Sequence, residues 1–254
     1  MTAALSIGIA AAAGAEVGAR VAAVAEAAGL HALWVNDTPG HDALAVLAAS
    51  AGATERLVLA TGVLPIDRRT PDDILARAAG LPADRLVLGI GSGQLRHGAV
   101  DRVTDAATAL RAGTEARVVV GALGPRMRRT GAEASDGLLL SWLTPEIAAD
   151  QARHAHELAR TAHVALYVRT AADPDAISAL DEEAQRYAGY PAYAANFARL
   201  GVQAAETVIR PAALRDRIAA YRAAADEVVL RAITASGSLD EHLRFIDAVA
   251  EALG

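Results

Sequence analysis

Glu55–Pro71, ERLVLATGVLPIDRRTP, is the stretch on which the fold turns. Leu57, Val58, Leu59 and Ala60 form a short run that is apolar at every position. A strand wetted on one side alternates apolar with polar residues, so an unbroken run points to a parallel strand buried on both faces. Thr61-Gly62-Val63-Leu64-Pro65 then departs from the usual polar turn. Glycine interrupts the strand at its carboxyl end, a Val-Leu pair carries on, and Pro65 fixes the exit. Ligands of α/β sheets bind beyond the carboxyl ends of the strands. An apolar shelf relaxed by Gly62 at that place suits a flat, hydrophobic ring. The plainer alternative is that Gly62 ends a strand while Val63 and Leu64 cap the core.

Outward from this stretch the same unit repeats. Leu5–Ala10, Ala32–Val35, Leu57–Thr61, Leu86–Ile90, Arg117–Val120, Gly137–Leu140, Val164–Val168 and Glu227–Ala232 read as eight strands. Helices are expected between them. Val17, Val21, Val24 and Ala28 fall at helical spacing within Glu16–Ala28, which Gly29 ends. Ala43–Ala51 follows, and then Pro71–Ala79, with Thr70 as N-cap and Asp72 and Asp73 complementing the dipole. Further helices are Ala99–Ala112, one reaching about Ala134, one opened by Pro145, Asp175–Leu200 broken around Gly189-Tyr190-Pro191, Ala212–Ala225 and Leu239–Leu253. Such alternation requires parallel pairing with right-handed crossovers. Eight units in 254 residues favour a closed (β/α)8 barrel, a TIM barrel, as a single domain over residues 1–254. Thr170–Asp226 holds more helix than one repeat needs; it is a lid, a dimerisation element or extra outer packing.

The composition removes several function classes. The net charge of −6 is spread along the chain with no basic block, so nucleic acid is not an expected partner. Absence of cysteine excludes a disulfide scaffold and suits a reducing, cytoplasmic location. The apolar start, MTAALSIGIAAAAGAE, lacks the basic beginning of a signal peptide, and no stretch is long and apolar enough to cross a membrane. All 24 basic residues are arginine, so no lysine can form a Schiff base or clamp a phosphate.

In a barrel the chemistry lies on the loops that follow the strands. Those loops carry Asn36, Asp37 and His41, then Gly62, Val63 and Asp67, then Gly91, Ser92, Gly93, Gln94 and His97. Later loops carry Gly121–Arg126, Ser141 and Trp142, Arg169 and Thr170, and Thr234 and Ser236. Gly89-Ile90-Gly91-Ser92-Gly93 lacks the spacing of a dinucleotide turn, and no acid ends the next strand to take a ribose. Its close glycines more simply let a cofactor approach the backbone. In Gly121-Ala122-Leu123-Gly124-Pro125-Arg126, arginines 126, 128 and 129 crowd a helix start where the dipole disfavours cations. That is sensible if an anion such as phosphate sits there; the other reading is a solvated basic face. Asp37 either bonds a polar group of a ligand or closes an Asx turn. His154 and His156 are two apart, do not face each other, and are expected in solvent. No metal-ligand spacing occurs, and no metal is expected.

Five segments together resemble the bacterial luciferase-like superfamily, and within it the deazaflavin (coenzyme F420)-dependent oxidoreductases. They are AAGLHALWVND (Ala27–Asp37), ERLVLATGVLP (Glu55–Pro65), DRLVLGIGSGQ (Asp84–Gln94), VVVGALGPRM…AEASDGLLLSW (Val118–Trp142) and AAYRAAADEVVL (Ala219–Leu230). The resemblance implies a (β/α)8 barrel, in agreement with the count of units. It implies that Gly62-Val63 is a non-proline cis peptide backing the deazaflavin ring, with Thr61 leading into it, and that Asn36 and Asp37 lie near the ring's reactive edge. Ile90, Gly91, Ser92 and Gly93 correspond to the segment beneath the cofactor. Gly121, Leu123, Gly124 and Pro125, with Arg126, lie beside its phosphate, and Ser141 and Trp142 complete the binding set. Arg126 or Arg128 stands in for the phosphate-contacting lysine of some members. Gln94 takes the place of the glutamate that sugar-phosphate-oxidising members use, and an amide cannot shuttle a proton at neutral pH. Asp37, His41 and His97 are the candidates for proton delivery, and with Gln94 they form the candidate catalytic set. The expected activity is hydride transfer between F420 and a small organic substrate, in a homodimer. The alternatives are an FMN-dependent luciferase-like monooxygenase and a barrel that binds the cofactor without catalysis.

Overall fold

Nine parallel strands run through the described residues, and the third of the eight expected ones is split in two. The computed structural model describes residues 3–253. The strands are β1 (Ala4–Ala10), β2 (Ala32–Asn36), β3 (Val58–Thr61), β4 (Leu64–Pro65), β5 (Leu86–Gly91), β6 (Arg117–Gly121), β7 (Gly137–Ser141), β8 (His163–Thr170) and β9 (Glu227–Ala232). Their order is β3-β2-β1-β9-β8-β7-β6-β5-β4, and β3 also pairs with β5, which closes the ring. Because β4 continues β3 along the same edge of β5, the result is an eight-stranded TIM barrel, as the alternation of units requires. Among the described residues ten helices surround it: α1 (Gly14–Ala27), α2 (Ala43–Gly52), α3 (Pro71–Ala78), α4 (Ala99–Gly113), α5 (Pro125–Ala134), α6 (Pro145–Leu158), α7 (Ile177–Ala188), α8 (Pro191–Leu200), α9 (Leu214–Arg222) and α10 (Leu239–Leu253). No helix among the described residues is long and apolar enough to cross a membrane.

Each strand is apolar on both faces because each face meets a different core. One set of side chains, with Ile7, Leu33, Leu59, Leu88, Val118, Leu140, Leu166 and Val228 at its centre, packs between the strands and the helices. The alternate set, Ala32, Trp34, Ala60, Val87, Val119, Leu139, Ala165, Tyr167 and Val229, fills the barrel interior. Trp34 takes much of that volume, which matches the alanines at positions 32, 60 and 165.

The break in the third strand is local. Backbone pairing of β3 with β5 ends at Ala60 and Val87. The Thr61 hydroxyl then donates to the Gly89 carbonyl and accepts the Gly89 N–H, both at 2.9 Å. A side chain replaces the ladder at the one place where the backbone leaves it. Residue 89 must be glycine here, since a Cβ would lie 2.0 Å from the Thr61 carbonyl oxygen. The Gly62–Val63 peptide that follows is cis, as expected from the resemblance. The end of the opening stretch, DRRTP, and the two aspartates after it are explained by capping and charge. Thr70 caps α3 by accepting the Asp73 N–H, and Pro71 occupies the first turn.

The long segment between β8 and β9 does not thicken the outer wall. Helices α7 and α8 close a separate apolar cluster, Leu180, Ala184 and Phe197 against Trp142, Ala171 and Ile233. The latter three lie just past the ends of β7, β8 and β9, so the segment covers one side of the carboxyl rim. His154 is exposed as expected, but His156 is not free: its Nε2 lies 3.0 Å from Asp226 Oδ2.

At the opposite end of the barrel Glu227 is buried, with 1 % of its surface exposed. Ser6 Oγ and Trp34 Nε1 both donate to its Oε1 at 2.6 Å, and His163 Nε2 meets its Oε2 at 2.9 Å. Burial works against the charge, but the bonds from His163, Ser6 and Trp34 outweigh it and hold the carboxyl below its ordinary value. A depressed folded-state pKa contributes stability that is complete above the unfolded value, near 4.5, and is lost as pH falls through the folded value. Glu227→Gln is therefore expected to lower unfolding free energy at pH 7 by about 3 kcal/mol. The gap between variant and parent should shrink as urea denaturation is repeated at pH values below the ordinary glutamate pKa. A gap that is constant or widens with acid would contradict this.

Candidate functional site

At the carboxyl rim the interior positions of successive strands are small or polar. Gly8, Gly62, Gly91 and Gly121 leave the backbone bare there, and Asn36, Ser141, Tyr167, Arg169 and Arg231 provide the polar groups. Two of these glycines are required by the space Val63 takes. A Cβ at Gly91 would meet Val63 Cγ2 at 2.6 Å, and one at Gly121 would meet Val63 Cγ1 at 2.9 Å. Val63, partly exposed, thus lies across two bare strands as a smooth apolar ledge. Gly62 beneath it is in contact range of Leu139, Trp34 and Tyr167.

Beside the ledge Asn36 is fixed from three directions. Its amide donates to the Gly62 carbonyl. Its Oδ1 accepts from Tyr167 Oη at 2.6 Å and from Arg231 Nε at 3.1 Å. Burial pushes the Tyr167 phenol well above its ordinary pKa, so it stays a neutral donor.

Asp37, next along the chain, is tied into the scaffold. Arg69 grips both its oxygens, Nε to Oδ2 at 3.1 Å and Nη2 to Oδ1 at 2.9 Å, and the Ala43 N–H donates to Oδ1 at 3.1 Å. This fork joins the loop before α3 to the first turn of α2. Arg69 also reaches Asp42 at 3.2 Å, and Arg77 reaches Asp42 and Asp73 at 2.8 Å each.

The loop before α4 holds Ser92, Gly93, Gln94 and His97. Gly93 has φ +60°, and a Cβ there would strike Asp67 Oδ1 at 1.9 Å. Asp67 Oδ2 accepts the Gln94 N–H at 2.8 Å. The side chains of His41, Gln94 and His97 are exposed and make no hydrogen bond to described residues. Thr61 and Ile90 are fully buried, and the Ile90 side chain belongs to the layer under the helices, so only its backbone faces the rim.

The Gly121–Pro125 turn leads into α5, whose N-cap Gly124 supplies no side chain to the free N–H groups of the first turn. Arg126 and Arg129 point to solvent; Arg128 does not. Arg128 Nη1 donates to the Leu123 carbonyl at 2.8 Å, and Arg199 Nη2 of α8 donates to the same oxygen at 3.1 Å. Burial and the neighbouring Arg199 charge lower the Arg128 pKa, and no carboxylate pairs with Arg128 among the described residues.

The remaining side of the rim is a stack. Arg169, 5 % exposed, lies with its guanidinium 4.2 Å from the Trp142 ring centroid and 4.8 Å from that of Tyr187. It donates to Ser141 Oγ and, through Nε at 3.2 Å, to Glu183 Oε1. Trp142 has φ +59° and is 1 % exposed, and its Nε1 has no partner among the described residues. Burial would raise the Glu183 pKa, yet Arg169 and Arg231 hold it below the usual carboxylate value.

The structure thus gathers Asn36, Gly62, Val63, Gly91, Gly121, Ser141 and Trp142 at one rim, and leaves His41, Gln94 and His97 on exposed loops. Tyr167, Arg231, Glu183 and Arg199 join the site without having been singled out in the sequence. The first two carried a signal: a polar side chain inside an otherwise apolar strand, at the same alternation as the interior core. Glu183 and Arg199, on a surface-patterned helical segment, carried none. Two cavities lie elsewhere. One of about 790 Å3 is at the amino-terminal base beside His156 and Asp226. The other, about 400 Å3, lies outside the barrel between α10 and the loops after β8 and β9.

Residues 7–101 match the family model for luciferase-like monooxygenases, from β1 into α4, so this part of the chain is luciferase-like in sequence. No curated protein sequence matches the chain. Solved structures share the fold over nearly the full length. A monooxygenase, RslO1, from Streptomyces bottropensis is 20 % identical, with a TM-score of 0.74 over 98 % of each chain. An F420-dependent secondary alcohol dehydrogenase, in complex with an F420-acetone adduct, is 15 % identical, with a TM-score of 0.73 over 98 % of this chain and 99 % of that one. The coenzyme F420-dependent tetrahydromethanopterin reductase of Methanopyrus kandleri is 17 % identical, with a TM-score of 0.70 over 99 % and 98 %.

The Asp37 fork has a measurable consequence. Asp37→Asn keeps the shape but removes the charge facing Arg69, and is expected to cost about 1–3 kcal/mol in urea denaturation. Unchanged stability would show that the ion pair anchors nothing.

Proposed function

We propose that the chain is a luciferase-like oxidoreductase that transfers hydride between coenzyme F420 and a small organic substrate. The observation that carries this reading is the Val63 ledge over bare Gly91 and Gly121, flanked by an Asn36 whose amide cannot rotate. A planar heterocycle needs an apolar support on one face and a fixed polar group at its edge, and this rim offers both. The luciferase-like sequence of residues 7–101 and F420-dependent neighbours in structure support the same reading.

The bound deazaflavin supplies the hydride chemistry. Val63 and the backbone of Gly91–Gly93 would support the ring, and Asn36 would orient it. The open N-terminus of α5, with Arg128 and Arg199 converging on the Leu123 carbonyl, would hold a phosphate. Arg128 serves this better than the solvent-facing Arg126. Trp142, Tyr187 and Phe197 keep water from one side of the rim. Asp37, held by Arg69, positions the loop that bears Asn36. His41 and His97 on the open side are left to deliver a proton, since the Gln94 amide cannot. A substrate is a small molecule, and a homodimer accords with the family resemblance.

A second reading is an FMN-dependent monooxygenase, favoured by the family model itself and by the monooxygenase from Streptomyces bottropensis. Titrating the protein with each cofactor and following tryptophan quenching separates the two, because Trp142 is buried at the rim and the Trp34 ring packs in the interior beneath Gly62. F420 is expected to bind at least about tenfold more tightly than FMN, roughly 1.4 kcal/mol. Tighter binding of FMN would overturn the F420 assignment in favour of the second reading, and failure of both to bind would overturn the whole proposal.

A further inference from the structure

Arg169 and Arg231 are direct neighbours across β8 and β9, paired in register, and both face the barrel interior at the rim. Like charges placed opposite each other on adjacent strands repel. In the cluster beside α3, by contrast, charge is matched: Arg69 meets three carboxylates and Arg77 two. At the rim the balance is incomplete. The one ion pair is Arg169 with Glu183, whose second oxygen turns outward to Arg186 at 3.4 Å. Arg231 forms no ion pair among the described residues; it donates to Asn36 Oδ1 and to the Ala232 carbonyl, both neutral. Two guanidinium groups and one carboxylate leave one positive charge in a partly desolvated setting, next to the proposed ring site. There an opposite charge gains far more than it would in bulk water.

We propose that the Arg169–Arg231 pair binds an anionic group of the substrate, a carboxylate or an enolate-type oxygen, and that Glu183 is the internal counter-ion standing in for part of that charge. This deepens the oxidoreductase reading and rests on it for the word substrate. The chemistry is that of a fork: Arg231 keeps Nε on Asn36 and Nη1 on the Ala232 carbonyl, and its Nη2 is the donor left for the ligand. The ligand's negative charge would then relieve the cross-strand repulsion. Because Glu183 rides on α7, the helix that covers this side of the rim, an anion that completes the pair also bears on how that helix sits.

The test needs no cofactor and so fails or succeeds apart from the cofactor titration. Benzoate and the isosteric neutral benzamide are titrated into the full-length protein in a Trp34→Phe background, so that the fluorescence read is that of Trp142, which stacks on Arg169. Benzoate is expected to bind at least about tenfold more tightly than benzamide, a difference of roughly 1.4 kcal/mol. Arg231→Met should abolish that preference, and Arg231→Lys should retain part of it. Glu183→Gln, which removes the internal competitor, should tighten benzoate severalfold and leave benzamide alone. Inorganic phosphate, suited to the α5 turn, should not displace benzoate. Equal binding of the two probes to the protein with Arg231 and Glu183 in place, a preference that survives Arg231→Met, no tightening in Glu183→Gln, or displacement by phosphate would each overturn the assignment.

Discussion

The hydroxyl of Thr61 holds the third strand in the ring at the point where its backbone turns away. Donating to and accepting from Gly89 at 2.9 Å, it takes both hydrogen bonds that the ladder between β3 and β5 would have supplied. The barrel therefore stays closed while Gly62 and Val63 move inward over the rim. Without that exchange, either Gly89 would hold two buried, unpaired backbone groups or the chain would continue as an ordinary strand with no ledge. The ledge, the bare glycines it crosses and the amide of Asn36 bonded to the Gly62 carbonyl all follow from this departure.

Around the ledge the barrel divides its polar groups by end. At the base one carboxylate, Glu227, is satisfied by Ser6, Trp34 and His163. At the rim the polar groups are only partly satisfied: Trp142 Nε1 lacks a partner, and Arg128 and Arg231 lack counter-ions among the described residues. Buried polar groups without partners are rare in folded proteins and concentrate where a ligand completes them. The network at the base is complete, and the one at the rim, where barrels of this kind carry their sites, leaves groups open to a ligand.

Much of this is legible in the chain itself. Eight runs apolar on both faces, separated by helical periods, leave little besides a closed parallel barrel, and Thr70-Pro71 marks the start of α3 without ambiguity. The glycines at 62, 91 and 121 mark the rim in the sequence itself. What escaped is what depends on distant partners. Asp37 looks like a free acid on a loop until Arg69, more than thirty residues on, closes on it. Arg128 and Arg126 look alike in sequence; only the approach of Arg199 from α8 separates the half-buried one from the solvated one. Glu183 falls in a helix with an ordinary amphipathic pattern, and its contact with Arg169 exists only because α7 folds over the ends of β7, β8 and β9.

That the ledge is the seat of a planar cofactor is the claim from which the functional reading follows. A crystal structure of the protein soaked with F420 measures it directly. The deazaflavin ring is expected flat against Val63, over Gly91 and Gly121, with its polar edge toward Asn36 and its phosphate at the first turn of α5 beside Arg128. Ring density in the outer cavity beside Phe245, or at the base beside His156, would contradict it.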